Sequence, residues 1–151
     1  MGAIMEFATE KQIASFLSTC RIEGQKNFLM AFKKKTWLKS FIDFFIVGGA
    51  YYVQSSVKPK ILAFTPKGIY LMDISDVTEN RFNQVLEIPW NQVKDFTYKP
   101  VLNTVRLNWN YQNEAYIFSV DVGQLSQRVG QYQFNKEHYD YLAQQDFFRS
   151  K

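Results

Sequence analysis

The sequence predicts a mainly β protein: an antiparallel sheet of about seven strands, curled into a barrel or sandwich and stoppered by a C-terminal α-helix. Three observations predict it. Aromatic residues make up 17% of the chain, with 14 Phe and 9 Tyr, and such side chains suit the pleated, half-buried surface of a sheet. After Gly24 the apolar residues recur with a period of two, the spacing of a strand. The segments so marked are joined mostly by short turns, which forces antiparallel pairing, because a parallel pair needs a long crossover. The chain has 151 residues, 46% of them hydrophobic, enough for a single domain with a sizeable core. Residues 1–24 read as an N-terminal helical extension and 25–150 as the barrel with its helix.

The elements follow in order. Thr9-Glu10-Lys11-Gln12 fits a capping box, and Ile13, Phe16, Leu17 and Cys20 continue it at helical spacing, which predicts a helix over about 9–20. In NFLMAFKKK, Phe28, Met30 and Phe32 alternate with Leu29, Ala31 and Lys33, so this segment reads as a strand buried on one face and partly covered on the other. Residues 37–45 have near-helical apolar spacing, and IVGGAYYV reads as a strand with a glycine kink. KILAFTPKGIYLMDI is a hairpin turning on Thr65-Pro66-Lys67-Gly68. Residues 75–83 are polar and read as a loop. QVLEIP and WNQVKDFTYK read as strands, the second broken by Lys99-Pro100. In TVRLNWN, Val105, Leu107 and Trp109 belong to the core face and Thr104, Arg106, Asn108 and Asn110 to the solvent face. Asn110–Asn113 supply a turn, EAYIFSVDV a strand, and residues 123–131 a loop. The closing helix is predicted to be capped by Asn135, with Phe134 and Tyr139 as a hydrophobic staple and Tyr139, Leu142, Ala143 and Phe147 as its apolar stripe.

Scarcity of chemical groups excludes whole classes of function. With one cysteine, Cys20, and one histidine, His138, the chain forms no internal disulfide and no Cys/His zinc site. Spacing reveals no catalytic constellation, so the expectation is a protein that is not an enzyme, with no cofactor and no metal. His138 is expected in the exposed first turn of the last helix, and Cys20 as a small apolar residue. Asp73, Asp76 and Glu79 lack the ligand pattern of a calcium loop. Trp90, Trp109 and Tyr111 near Arg106 suggest base stacking, but Arg106 falls on the opposite strand face from Trp109, so no nucleic acid is expected. The opening MGAIMEFATEKQ lacks the basic-then-apolar order of a signal peptide, and Glu6 stands where a myristoylation motif wants Ser or Thr.

ILAFTPKGIYLMDI, EIPWNQVKDFTYK and the helix after the last strand together resemble the pleckstrin-homology-like (PH-like) domains of bacterial proteins, over about residues 25–150. The resemblance implies a seven-stranded barrel plugged by its helix. The N-terminal helix and the long apolar insert after the first strand depart from that layout. In lipid-binding members of the superfamily, basic residues near the loop between the first two strands hold phosphorylated head groups, and here Lys33, Lys34, Lys35 and Lys39 fall at that place.

The insert WLKSFIDFFIVGGAYYV carries Lys39 and Asp43, so it is too short and too charged to span a bilayer. Beside burial against the barrel itself, two readings of it stand. Trp37, Phe41, Phe44, Phe45, Tyr51 and Tyr52 form an interface that makes the protein a homo-oligomer or joins it to a protein partner. Alternatively, the Lys33–Lys39 cluster holds an anionic membrane surface, each lysine contributing about 1 kcal/mol. Of these the first is preferred, and it places the protein in the cytoplasm; the second places it peripherally at a membrane.

Overall fold

The computed structural model describes residues 8–34, 59–123 and 133–149. Within them α1 spans Glu10–Thr19, β1 Phe28–Lys34, β2 Pro59–Thr65, β3 Gly68–Asp73, α2 Ile74–Thr78, β4 Leu86–Pro89, β5 Lys94–Val101, β6 Thr104–Tyr111, β7 Glu114–Asp121 and α3 Gln133–Gln144. Single 3-10 turns occupy Phe82–Gln84, Trp90–Gln92 and Asp146–Phe148. The strands form one seven-stranded sheet in the order β4-β3-β2-β1-β7-β6-β5, and every pairing is antiparallel. The first and last strands are neighbours, which brings α3 back onto β1 and β7.

The sheet curls. Phe64 of β2 and Trp90, next to edge strand β4, reach Phe96 of β5, the opposite edge, with ring centroids at 6.2 and 5.5 Å. Side chains from all seven strands and from α3 therefore share one inner core, which includes Leu62, Leu107, Phe118 and Leu142. Among the described residues β4 and β5 do not pair, so the sheet is not closed into the expected barrel, and only side chains bridge its two edges. A second core lies on the other face of β1–β3, where Ile13, Phe16 and Leu17 of α1, Ile74 and Val77 of α2 and Phe134 of α3 cover Phe28, Met30, Ile61, Ala63 and Met72. Burial on both faces is why β2 reads as an unbroken apolar run.

Several expectations change. Residues 75–83 are a loop only in part: a helical turn runs to Thr78, with Ile74 and Val77 packed on α1, and after a turn at 79–81 Phe82 stacks on Phe16 at 4.9 Å. Trp90 begins a 3-10 turn instead of a strand, its indole N–H donating to Thr65 O at 2.7 Å. Pro100 does not break β5: β5 is an edge strand, where proline is tolerated. Turn β6–β7 is centred one residue later than the Asn110–Asn113 reading, on Gln112 and Asn113 at φ 52° and 63°. The strand expected over 46–53, the 37–45 segment and almost all of the 123–131 loop lie outside the described residues.

Asn135 is the largest correction. It does not cap α3, which starts at Gln133, but lies inside the helix and is fully buried. Its Oδ1 accepts from Met30 N–H at 2.9 Å, while Nδ2 donates to Met30 O at 2.9 Å and Asp121 O at 3.1 Å. The β1–β7 ladder begins only at Ala31, so the amide side chain continues the ladder where the two strands diverge. Helix α3 also ends earlier than its apolar stripe suggests. Asp146, Phe147 and Phe148 follow with φ of 49°, 56° and 58°, a left-handed turn that costs about 1–2 kcal/mol per residue. It swings Phe147 into the inner core, 4.9 Å from the Phe64 ring and 4.6 Å from Tyr98. Asp146 is held there by Arg149 at 2.9 Å and Tyr98 Oη at 3.3 Å. Burial of the ring, at about 1.5–3 kcal/mol, and its aromatic contacts offset the strain.

Candidate functional site

The lysine cluster begins where β1 ends. Lys33 pairs in register with Phe118 and Lys34 with Ile117. By strand alternation Lys33 shares the inner face with Leu29 and Ala31, at the mouth of the curl. Its ammonium lies 3.8 Å from Glu114 Oε1 and 4.7 Å from the centroid of the Tyr116 ring. A carboxylate and an aromatic face thus already share its charge. Burial, and the Glu114 carboxylate beside it, push the Tyr116 hydroxyl up to about 12. Lys35 and Lys39, and the interface candidates Trp37, Phe41, Phe44, Phe45, Tyr51 and Tyr52, lie outside the described residues.

The chain leaves β1 after Lys34 and re-enters at Pro59, which pairs with Phe32. Residues 35–58 therefore join two adjacent antiparallel strands at the centre of the sheet, a connection that two to five residues usually make. At the same end of the sheet, Gln92, Lys94, Asp95, Asn110 and the β6–β7 turn line an open cleft of about 500 Å³. Asn110 donates to Asp95 across it at 3.2 Å, and its walls hold no histidine, cysteine or hydroxyl nucleophile beyond the Tyr111 phenol.

The inner face offers little room for an apolar ligand. Trp109 stacks between Tyr116 at 5.5 Å and Phe118 at 5.3 Å, and Phe96 packs against Phe64, Trp90, Trp109 and Phe147. The Trp109 indole N–H has no hydrogen-bond partner among the described residues. Arg106 is exposed on the opposite face, as its strand position predicts, so it does not flank the tryptophan.

The acidic residues of the α2 region are taken up by cations. Arg81 Nε donates to Asp76 at 2.7 Å and its Nη1 lies 2.7 Å from Glu79, while Asp73 pairs with Lys60. Among the described residues, no group of three or more His, Cys, Asp or Glu could hold a metal ion. Burial pushes the Cys20 thiol up, which lowers its thiolate fraction.

His138 overturns its surface assignment. It is fully buried, with Nδ1 2.7 Å from Phe28 O and Nε2 3.1 Å from Glu10 Oε2. Its ring meets Phe28 edge-on at 4.7 Å and Phe134 at 5.0 Å. Sequence spacing places it in the first turns of a helix; only the return of α3 across β1 and α1 buries it. The one local clue is its position four residues after Phe134, on the apolar side of that helix.

No family model matches the chain, and no curated protein matches it. Among the described residues no helix is long and apolar enough to cross a membrane.

Proposed function

We propose that this chain is a non-catalytic interaction module of the PH-like kind that self-associates through the apolar segment around residues 37–52. What supports the PH-like part is the strand order, with β1 beside β7 and the helix after β7 folded back across them. The observation that carries the self-association is the placement of residues 35–58. An aromatic-rich segment is inserted between two central strands whose two faces are already covered by the inner core, α1, α2 and α3. Burying so many aromatic side chains of the 37–52 stretch against a second copy of the chain would remove them from water. Lipid binding through Lys33, Lys34, Lys35 and Lys39 ranks second, because the Lys33 ammonium is already engaged by Glu114 and Tyr116.

Light scattering at micromolar concentration tests the proposal. The expected mass exceeds the 17.8 kDa of one chain, and Phe41→Ser with Phe44→Ser returns it to that of a monomer. A monomeric wild type refutes self-association. Sedimentation with anionic vesicles that is lost on charge reversal at Lys34 and Lys35 would put the lipid reading in its place.

A further inference from the structure

His138 joins three elements. It projects from α3, its Nδ1 faces the Phe28 carbonyl of β1, and its Nε2 faces the Glu10 carboxylate of α1. A carbonyl oxygen accepts hydrogen bonds and cannot donate one, and the same is true of an ionised carboxylate. A neutral imidazole carries a single N–H, so it satisfies only one of these two partners. The imidazolium carries two and satisfies both. We infer that His138 is a proton-operated latch that holds the N-terminal helix against the sheet: closed while the ring carries both protons, released when it loses one.

The proton that leaves is the one on Nε2. The Phe28 carbonyl at 2.7 Å keeps Nδ1–H in place, since without it two lone pairs would meet inside the protein. Loss of the Nε2 proton to solvent leaves a nitrogen lone pair facing the Glu10 oxygen at 3.1 Å, and attraction becomes repulsion. Around the imidazole, β1 presents the Phe28 carbonyl and ring, and α3 adds the Phe134 ring. The neighbouring charges point elsewhere: Glu137 lies 3.6 Å from Lys26. Glu10 is thus the group that faces the ring from α1. Its carboxylate is about half exposed, which lets the proton reach solvent without unfolding. The rest of α1 is fastened by Ile13, Phe16 and Leu17, so opening the latch loosens the helix before the sheet.

His138 is the single histidine of the chain, so its ring nitrogens give an unambiguous pair of nitrogen NMR signals. With the full-length protein, both nitrogens are expected to be of the protonated type while α1 amides are protected from hydrogen exchange. As pH rises, conversion to the Nδ1–H tautomer should lower the protection factors of α1 amides roughly tenfold, those of β6 and β7 staying constant. Glu10→Gln is the control that keeps the fold. The glutamine amide can donate to a neutral Nε2, so its α1 protection should stay within roughly twofold across the same pH range. A neutral ring in the protein whose α1 is fully protected, or an unchanged pH dependence in Glu10→Gln, overturns the latch.

Discussion

Replacing Asn135 with leucine, close in size but unable to hydrogen-bond, tests how much one amide contributes to holding the sheet together. The side chain is 0% exposed and makes three bonds, one from Met30 N–H and two to the carbonyls of Met30 and Asp121. Leucine removes all three and leaves the buried Met30 N–H without an acceptor. An orphaned buried donor costs about 1–3 kcal/mol, and each lost carbonyl bond about 0.5–1.5 kcal/mol. Leucine recovers about 0.5 kcal/mol through its better helix propensity. The expected net loss is therefore about 2–5 kcal/mol, which lowers the melting temperature by roughly 10 °C for a chain of this length. Denaturant unfolding measures it, with the midpoint falling and the slope unchanged. Asn135→Asp should be worse still, because a carboxylate would then face two carbonyl oxygens in a buried site. A loss below about 1 kcal/mol in the leucine variant, or an aspartate variant no worse than leucine, refutes the view that Asn135 completes the β1–β7 ladder.

Gly68 and Tyr116 give two further tests. A Cβ on Gly68 would lie 2.2 Å from Ile88 O and 2.9 Å from Pro89 Cα, backbone atoms that cannot rotate away. Gly68→Ala should therefore strain the β3–β4 pairing and cost about 1–3 kcal/mol or more in denaturant unfolding; a loss under about 1 kcal/mol contradicts the close approach. Tyr116 has its hydroxyl raised from 10.0 to about 12 in the folded state. The folded state thus favours the protonated phenol. Its contribution to stability is fully present below pH about 10 and is lost as pH rises through about 12. A phenolate absorbance titration of wild type against Tyr116→Phe checks this: the difference between them should rise only at the alkaline end, and a difference complete by pH about 10 would be the contrary result.

Most of the sheet was legible because its signals are local. Thr65–Gly68 forms the expected turn between β2 and β3, and Val105, Leu107 and Trp109 are buried as their alternation predicts. The Thr9–Gln12 capping box is formed in both directions, with bonds of 2.9 and 3.1 Å. The misreadings share a cause. Residues 75–83 have too few apolar positions to show a period, and their helix exists because α1 lies beside them. Pro100 reads as a strand breaker unless β5 is known to be an edge. Asn135 reads as a helix cap and His138 as an exposed first-turn residue, because their partners Met30, Phe28 and Glu10 lie more than a hundred positions away in the chain.

Periodicity, turn residues and caps are properties of a few neighbouring side chains, so they are written wherever those side chains are adjacent in sequence. They were enough for the β class, the antiparallel pairing, most strand faces and both terminal helices. Which strand lies beside which, how far the sheet curls, and which polar groups end up buried depend on where distant segments meet. The meeting of β1 with β7 under α3 decided those: it turned an asparagine into part of a ladder and a histidine into the joint between the two ends of the chain.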